Sequence, residues 1–187
     1  MAIRIKSNWS KTVTRDKTNE DIASALSYIS WKLSLDKARN LHGEDFEYTS
    51  DHQRITVIVE FMSFQVHLVD RLLFSNKAPD DYRMAVMNNL GKQSARIMQE
   101  NCEDLFGIGE YKKGYINTLN LRSSEYSDYK FSKTGSNYSI YRHLAKKIQD
   151  AMGLSQTNKW VMDQIVDIDA VEVFKKITEV YESLTRK

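Results

Sequence analysis

Proline occurs once in these 187 residues and glycine seven times. Sandwiches and barrels need both residue types at their many turns, whereas helix interiors tolerate neither. The scarcity argues against an all-β fold and predicts long helices joined by few loops. Cysteine also occurs once, as Cys102, which has no internal disulfide partner. A reducing compartment, the cytoplasm, is the natural reading. Residues 1–9 contain no apolar run of signal-peptide length. The most apolar stretch, 55–74, still holds Glu60, His67, Asp70 and Arg71. Four ionisable groups argue against a lipid-exposed span, so no membrane partner is expected.

Catalytic signatures are missing as well. There is no Gly-x-Ser-x-Gly, no His-Glu-x-x-His and no dinucleotide fingerprint. Lys133-Thr-Gly-Ser136 lacks the spacing of a phosphate-binding loop. Cys102 stands among acids, which disfavour a thiolate.

What is present is helical periodicity. Thr18-Asn-Glu-Asp21 pairs a capping hydroxyl with first-turn acids, and Ile22, Leu26, Ile29 and Leu33 follow at helical spacing up to a stop at His42-Gly43. Ser50-x-x-Gln53 is a capping box for a second helix, run to about residue 74. Pro79 suits the first turn of a third, which stops near Gly107. A fourth is read over 111–122, a Tyr/Ser/Lys-rich loop over 123–136, and a fifth helix over 137–152. The last starts after Ser155 and runs to about 184, with a break or kink at Asp167-Ile-Asp169, because Asp prefers caps to helix interiors. The expected fold is all-α: one domain over 1–187, a bundle of five or six mostly antiparallel helices around a central apolar helix, about 51–74. Residues 1–17 read as a polar N-terminal arm, the one place where a short strand is conceivable.

The central helix also carries the main chemical signal. Glu60, Ser63, His67 and Asp70 fall at i, i+3, i+7 and i+10, one stripe of a helix flanked by apolar residues. Buried ionisable groups need partners. The bland reading is a structural network with neighbouring helices. The sharper one adds His143 from the fifth helix and makes Glu60, His67, Asp70 and His143 ligands of a metal ion, iron or zinc. The Glu-x-x-His step of bundle iron sites is absent.

Six of ten tyrosines lie in 111–141, with lysines between them. Tyr126, Tyr129, Lys130, Lys133, Tyr138 and Tyr141 are the candidates for ligand or partner contact. A segment closing over its own bundle is the preferred reading. Net charge is only +2, but 110–150 holds eight basic against four acidic residues and 160–182 six acidic against two basic. Mutual neutralisation is the simpler account; a basic face for nucleic acid is the weaker one. No specific function is readable. A non-catalytic helical interaction protein, homo-oligomer or complex subunit ranks first. A bundle binding a metal or small ligand, with redox chemistry in view, ranks second, and nucleic-acid binding third.

Overall fold

The computed structural model describes residues 17–43, 46–134, 136–153 and 160–186. The rest of the predicted N-terminal arm and the Ser155 start of the last helix lie outside them. The described residues form α1 (Asn19–Gly43), α2 (Asp51–Ser75), α3 (Asp80–Phe106), α4 (Tyr111–Ser127), α5 (Tyr138–Met152), α6 (Trp160–Gln164), a π-helical turn (Ile165–Asp169) and α7 (Ala170–Thr185). No strand occurs among them. None of these helices is long and apolar enough to cross a membrane.

The helix starts follow the local chemistry. Thr18 Oγ1 accepts from the Asp21 N–H at 3.1 Å, and Asp21 Oδ2 accepts from the Thr18 N–H at 3.0 Å, a reciprocal capping box. Ser50 Oγ caps α2 through the Gln53 N–H. Gly107 and Gly153 end α3 and α5 at φ +85° and +76°, a region where a Cβ is costly.

α2 is the centre. Its buried residues point in every direction, and it packs against α1, α3, α4, α5 and α7. Phe61, Phe64, Leu68 and Leu72 are fully enclosed, each worth about 1.5–3 kcal/mol. Three contacts fix the directions of its neighbours. The His52 ring stacks on Phe106 at 4.0 Å, and Gln53 Nε2 donates to the Met152 carbonyl, so α3 and α5 end where α2 begins. Asn76 Nδ2 donates to Tyr181 Oη at 3.3 Å, so α7 ends where α2 ends.

Two expectations change. α4 continues to Ser127, so the loop read over 123–136 begins five residues late. Ser123-Ser124 reads as loop by composition, but Tyr115, Leu119, Arg122 and Tyr126 share one face of α4 turned toward the core or half buried, and tertiary packing overrides weak propensity. The break at 167–169 takes the form of the π turn. Val161, Ile165, Asp169, Val173, Ile177 and Tyr181 are buried at every fourth residue. Four residues overshoot an α-helical turn by about 40°. The wider π turn takes up that drift and keeps both ends of the stripe on the core side.

Candidate functional site

The stripe on α2 faces α4. Glu60 is 3% exposed and is held by Arg122, whose Nε and Nη2 donate to its two carboxylate oxygens, both at 2.6 Å. This fork is the strong form of the carboxylate–guanidinium pair. Hydrogen bonding to Glu60, against the opposing cost of burial, raises the Arg122 pKa further.

The chain of contacts runs outward from there. Arg122 Nη1 donates to Glu125 Oε2 at 3.0 Å, and Lys147 donates to Glu125 Oε1 at 2.9 Å. His143 joins at Nε2, 3.0 Å from Glu125 Oε2, while its Nδ1 lies 3.1 Å from Tyr129 Oη. The tautomer that satisfies both donates from Nε2 to the carboxylate and accepts the phenol at Nδ1. Burial alone would raise the Glu125 carboxyl; its bonds to Lys147 and His143 and the Arg122 charge outweigh that and lower it.

His67 lies a little further along the stripe without such a partner. Its ring stacks on Tyr126 at 4.9 Å, and the His143 ring meets the same tyrosine edge-on at 5.0 Å. Burial, with a further push from the Arg71 charge and partial opposition from Asp70, lowers the His67 pKa to about 4, so it is neutral near pH 7. Its Nε2, Ser63 Oγ, Tyr126 Oη and Arg71 Nε are buried with no hydrogen-bond partner. Asp70 turns away from this cluster: Arg83 of α3 grips both its oxygens at 2.7 Å.

The four residues read as metal ligands therefore divide. His67 stacks on Tyr126 and His143 meets the same ring edge-on, Glu60 is occupied by Arg122, and Asp70 by Arg83. Among the described residues no three His, Cys, Asp or Glu side chains form a group able to hold a metal ion. Of the tyrosine-segment residues, Tyr126 is enclosed and Tyr141 packs on Phe64 and Phe174. Tyr129 belongs to the network, and its backbone carbonyl accepts from Arg71 at 3.2 Å. Lys133 reaches Asn76 at 3.1 Å and Glu182 at 3.4 Å. Tyr138 and Lys130 are left on the surface. Cys102 is buried, and that burial, rather than its acidic neighbours, raises the thiol to about 11.

A second buried pair escaped the sequence reading. Lys37 of α1, 8% exposed, donates to Asp169 of the π turn at 2.8 Å and to Glu172 of α7. A signal existed. Lys37 sits on the apolar stripe of α1 between Ser34 and Leu41, and Asp169 sits on that of the last helix. Each charge at a core position implies the other. Of the acids of 160–182, Asp169 and Glu172 are met by α1, Glu179 by Lys176 within its own helix, and Glu182 by Lys133, a direct link to the basic 110–150 segment. Arg122, Lys146 and Lys147 of that segment pair with acids inside it.

Two surface clefts stand out among the described residues. One, of about 240 Å³, is lined by Phe46, Trp160, Asp163, Gln164, Asp167 and Ile168 beside the π turn. The other, of about 440 Å³, lies at the start of α4 by Lys112, Lys113 and Ile116. No family model, no curated protein and no solved structure matches this chain.

Proposed function

We propose that the chain is a non-catalytic helical interaction protein, a subunit that works by presenting surface rather than by chemistry. One observation carries this reading: apart from His67, the ionisable residues of the α2–α4–α5 seam that could perform acid–base or ligand chemistry are turned onto one another. Glu60, Arg122, Glu125, His143, Lys147 and Tyr129 form a closed set of partners. Catalytic groups, by contrast, need a free lone pair or proton facing a space for substrate. The surface meanwhile leaves large apolar side chains in water, among them Trp160 of α6, Ile168 of the π turn and Val171 of α7. Exposed apolar side chains gathered on one face mark sites of contact with a partner.

The test is site-specific photo-cross-linking in the cell that makes the protein. A photoreactive residue at Val171 should give a discrete cross-linked product, and one at exposed Lys92 on α3 should not. If positions all round the bundle give none, the interaction reading falls.

A second reading rests on the unpartnered Ser63 Oγ, His67 Nε2 and Tyr126 Oη. Buried polar atoms without partners are rare and call for an occupant. A small polar ligand at these atoms would supply one, as would a metal ion on His67 Nε2 joined by His143 once Nδ1 is released from Tyr129. Elemental analysis of protein purified without a metal-affinity tag decides the metal form of this reading, and mass spectrometry of the denatured protein's small-molecule extract the organic form. Near-stoichiometric iron or zinc that disappears in His67→Ala or His143→Ala would put the metal reading first; a metal-free protein would remove it.

A further inference from the structure

Residues 160–174 hold four acids and no Lys or Arg. Asp169 and Glu172 share Lys37. Asp163 and Asp167 are exposed, and among the described residues neither takes part in an ion pair. Beside them Ile168 and Val171 leave 45% and 43% of their surface in water. The π turn creates this juxtaposition. It draws Ile165 and Asp169 inward and leaves Asp167 and Ile168 together on the outside. Helices carry such turns mostly where function tolerates their cost. The cleft of about 240 Å³ opens at the same place, with buried Phe46 as part of its wall. It is smaller than the roughly 300–1,000 Å³ typical of small-molecule sites, and it suits one large side chain of a protein.

Resting on the interaction reading, we propose that this face docks an amphipathic helical segment of a partner protein, an apolar stripe flanked by lysine or arginine. Residues 160, 163, 167, 168 and 171 form one stripe about 16 Å long, the length of about three turns of a facing helix. The acids choose the partner's sign. Phosphate-bearing surfaces, nucleic acid or anionic membrane, are repelled. A second copy pairing two-fold through the same face would set Asp163 and Asp167 against their own equivalents, which disfavours it. Lys175 and Lys176 on the following turn end the acidic stretch.

The test uses the whole chain and two synthetic peptides of about four helical turns. Both have leucine at i, i+3, i+4 and i+7, one with lysine and one with glutamate elsewhere. Fluorescence anisotropy of the labelled peptides should show binding of the lysine peptide and none of the glutamate peptide. Asp163→Lys/Asp167→Lys should weaken the lysine peptide by about tenfold or more and admit the glutamate peptide. Ile168→Asp, also an exposed position, should abolish binding with the circular dichroism spectrum unchanged. Equal binding of both peptides, indifference to charge reversal, or absence of binding overturns the proposal. So does a wild-type dimer by light scattering that Ile168→Asp dissociates, since the face would then belong to a second copy. If no peptide binds while the Val171 cross-link forms, only the basic helical partner is lost and the interaction reading stands. If both fail, both are wrong.

Discussion

The two buried ion pairs solve one problem differently. Glu60 lies in a regular part of α2 and is met by a planar guanidinium that satisfies both its oxygens. Asp169 lies in a π turn and is met by a lysine at Oδ1, with the Gln164 side chain close by and Oδ2 buried without a hydrogen bond of ordinary geometry. The arginine fork extends into a network of Glu125, His143, Lys147 and Tyr129 that reaches the surface. The lysine is shared with one further acid, Glu172, and stops there. The planar arginine fork matches both carboxylate oxygens at once, whereas the lysine ammonium, a point charge, meets its two acids one oxygen each. The first pair lies under the polar stripe, the second under the acidic face, so a change in either reports on a different part of the molecule.

The largest effect should come from Arg122→Met. It strands Glu60 at 3% exposure and removes the hub to Glu125. A loss of about 3–5 kcal/mol is expected, measured by urea unfolding at pH 7. Glu60→Leu added to it should recover most of that loss. A double variant no better than the single would show that the network does more than compensate one charge.

Lys37→Met comes next, with a loss of about 3 kcal/mol. Asp169, already pushed up by burial against the opposing pull of Lys37, can take a proton once the lysine is gone, which limits the damage. Stability of this variant should therefore rise as pH falls from 7 toward 5. Unfolding midpoints of Lys37→Met at the two pH values check this rise.

His67 gives the third comparison. Its pKa is lowered to about 4 from an ordinary 6.5. The folded state therefore prefers the neutral ring. As pH falls from 6.5 to 4 the unfolded chain gains a proton that the folded chain refuses, and stability drops. The drop should amount to about 3 kcal/mol. In His67→Leu that part of the pH dependence should vanish, with a change within about 1.5 kcal/mol at pH 7. An unaltered pH profile would show that His67 protonates in place.

The smallest effect belongs to Tyr126→Phe. Its hydroxyl is fully buried without a hydrogen bond, so removal should be neutral or stabilising by up to about 1 kcal/mol. A clear loss would reveal a partner for the hydroxyl and strengthen the ligand reading of the α2–α4 seam.

Much of this was legible in the sequence, and the parts that were not share a cause. The caps at Thr18 and Ser50, the stops at Gly107 and Gly153 and the central place of α2 follow from local rules and apolar periodicity. The disturbance at 167–169 was legible too, and the four-residue rhythm from Val161 to Tyr181 explains its π form. The stripe of Glu60, Ser63, His67 and Asp70 was legible as a stripe. Its partners were not. Asp70 belongs to Arg83, thirteen residues on, and Glu60 to Arg122, in a part of α4 where composition suggested the approach to a loop. Lys37 and Asp169 each broke an apolar pattern, yet nothing local joins residues 132 positions apart.

By itself, the sequence determined which segments are helical, which face of each is apolar and that charges lie among the apolar positions, because a helix's period and end chemistry are set within a few turns of chain. Only the tertiary structure decided which charge answers which, that His67 and His143 meet on Tyr126, and that Asp163, Asp167, Ile168 and Val171 stay outside. Those facts depend on how each helix is rotated and set against its neighbours, which the packing of the whole core settles at once.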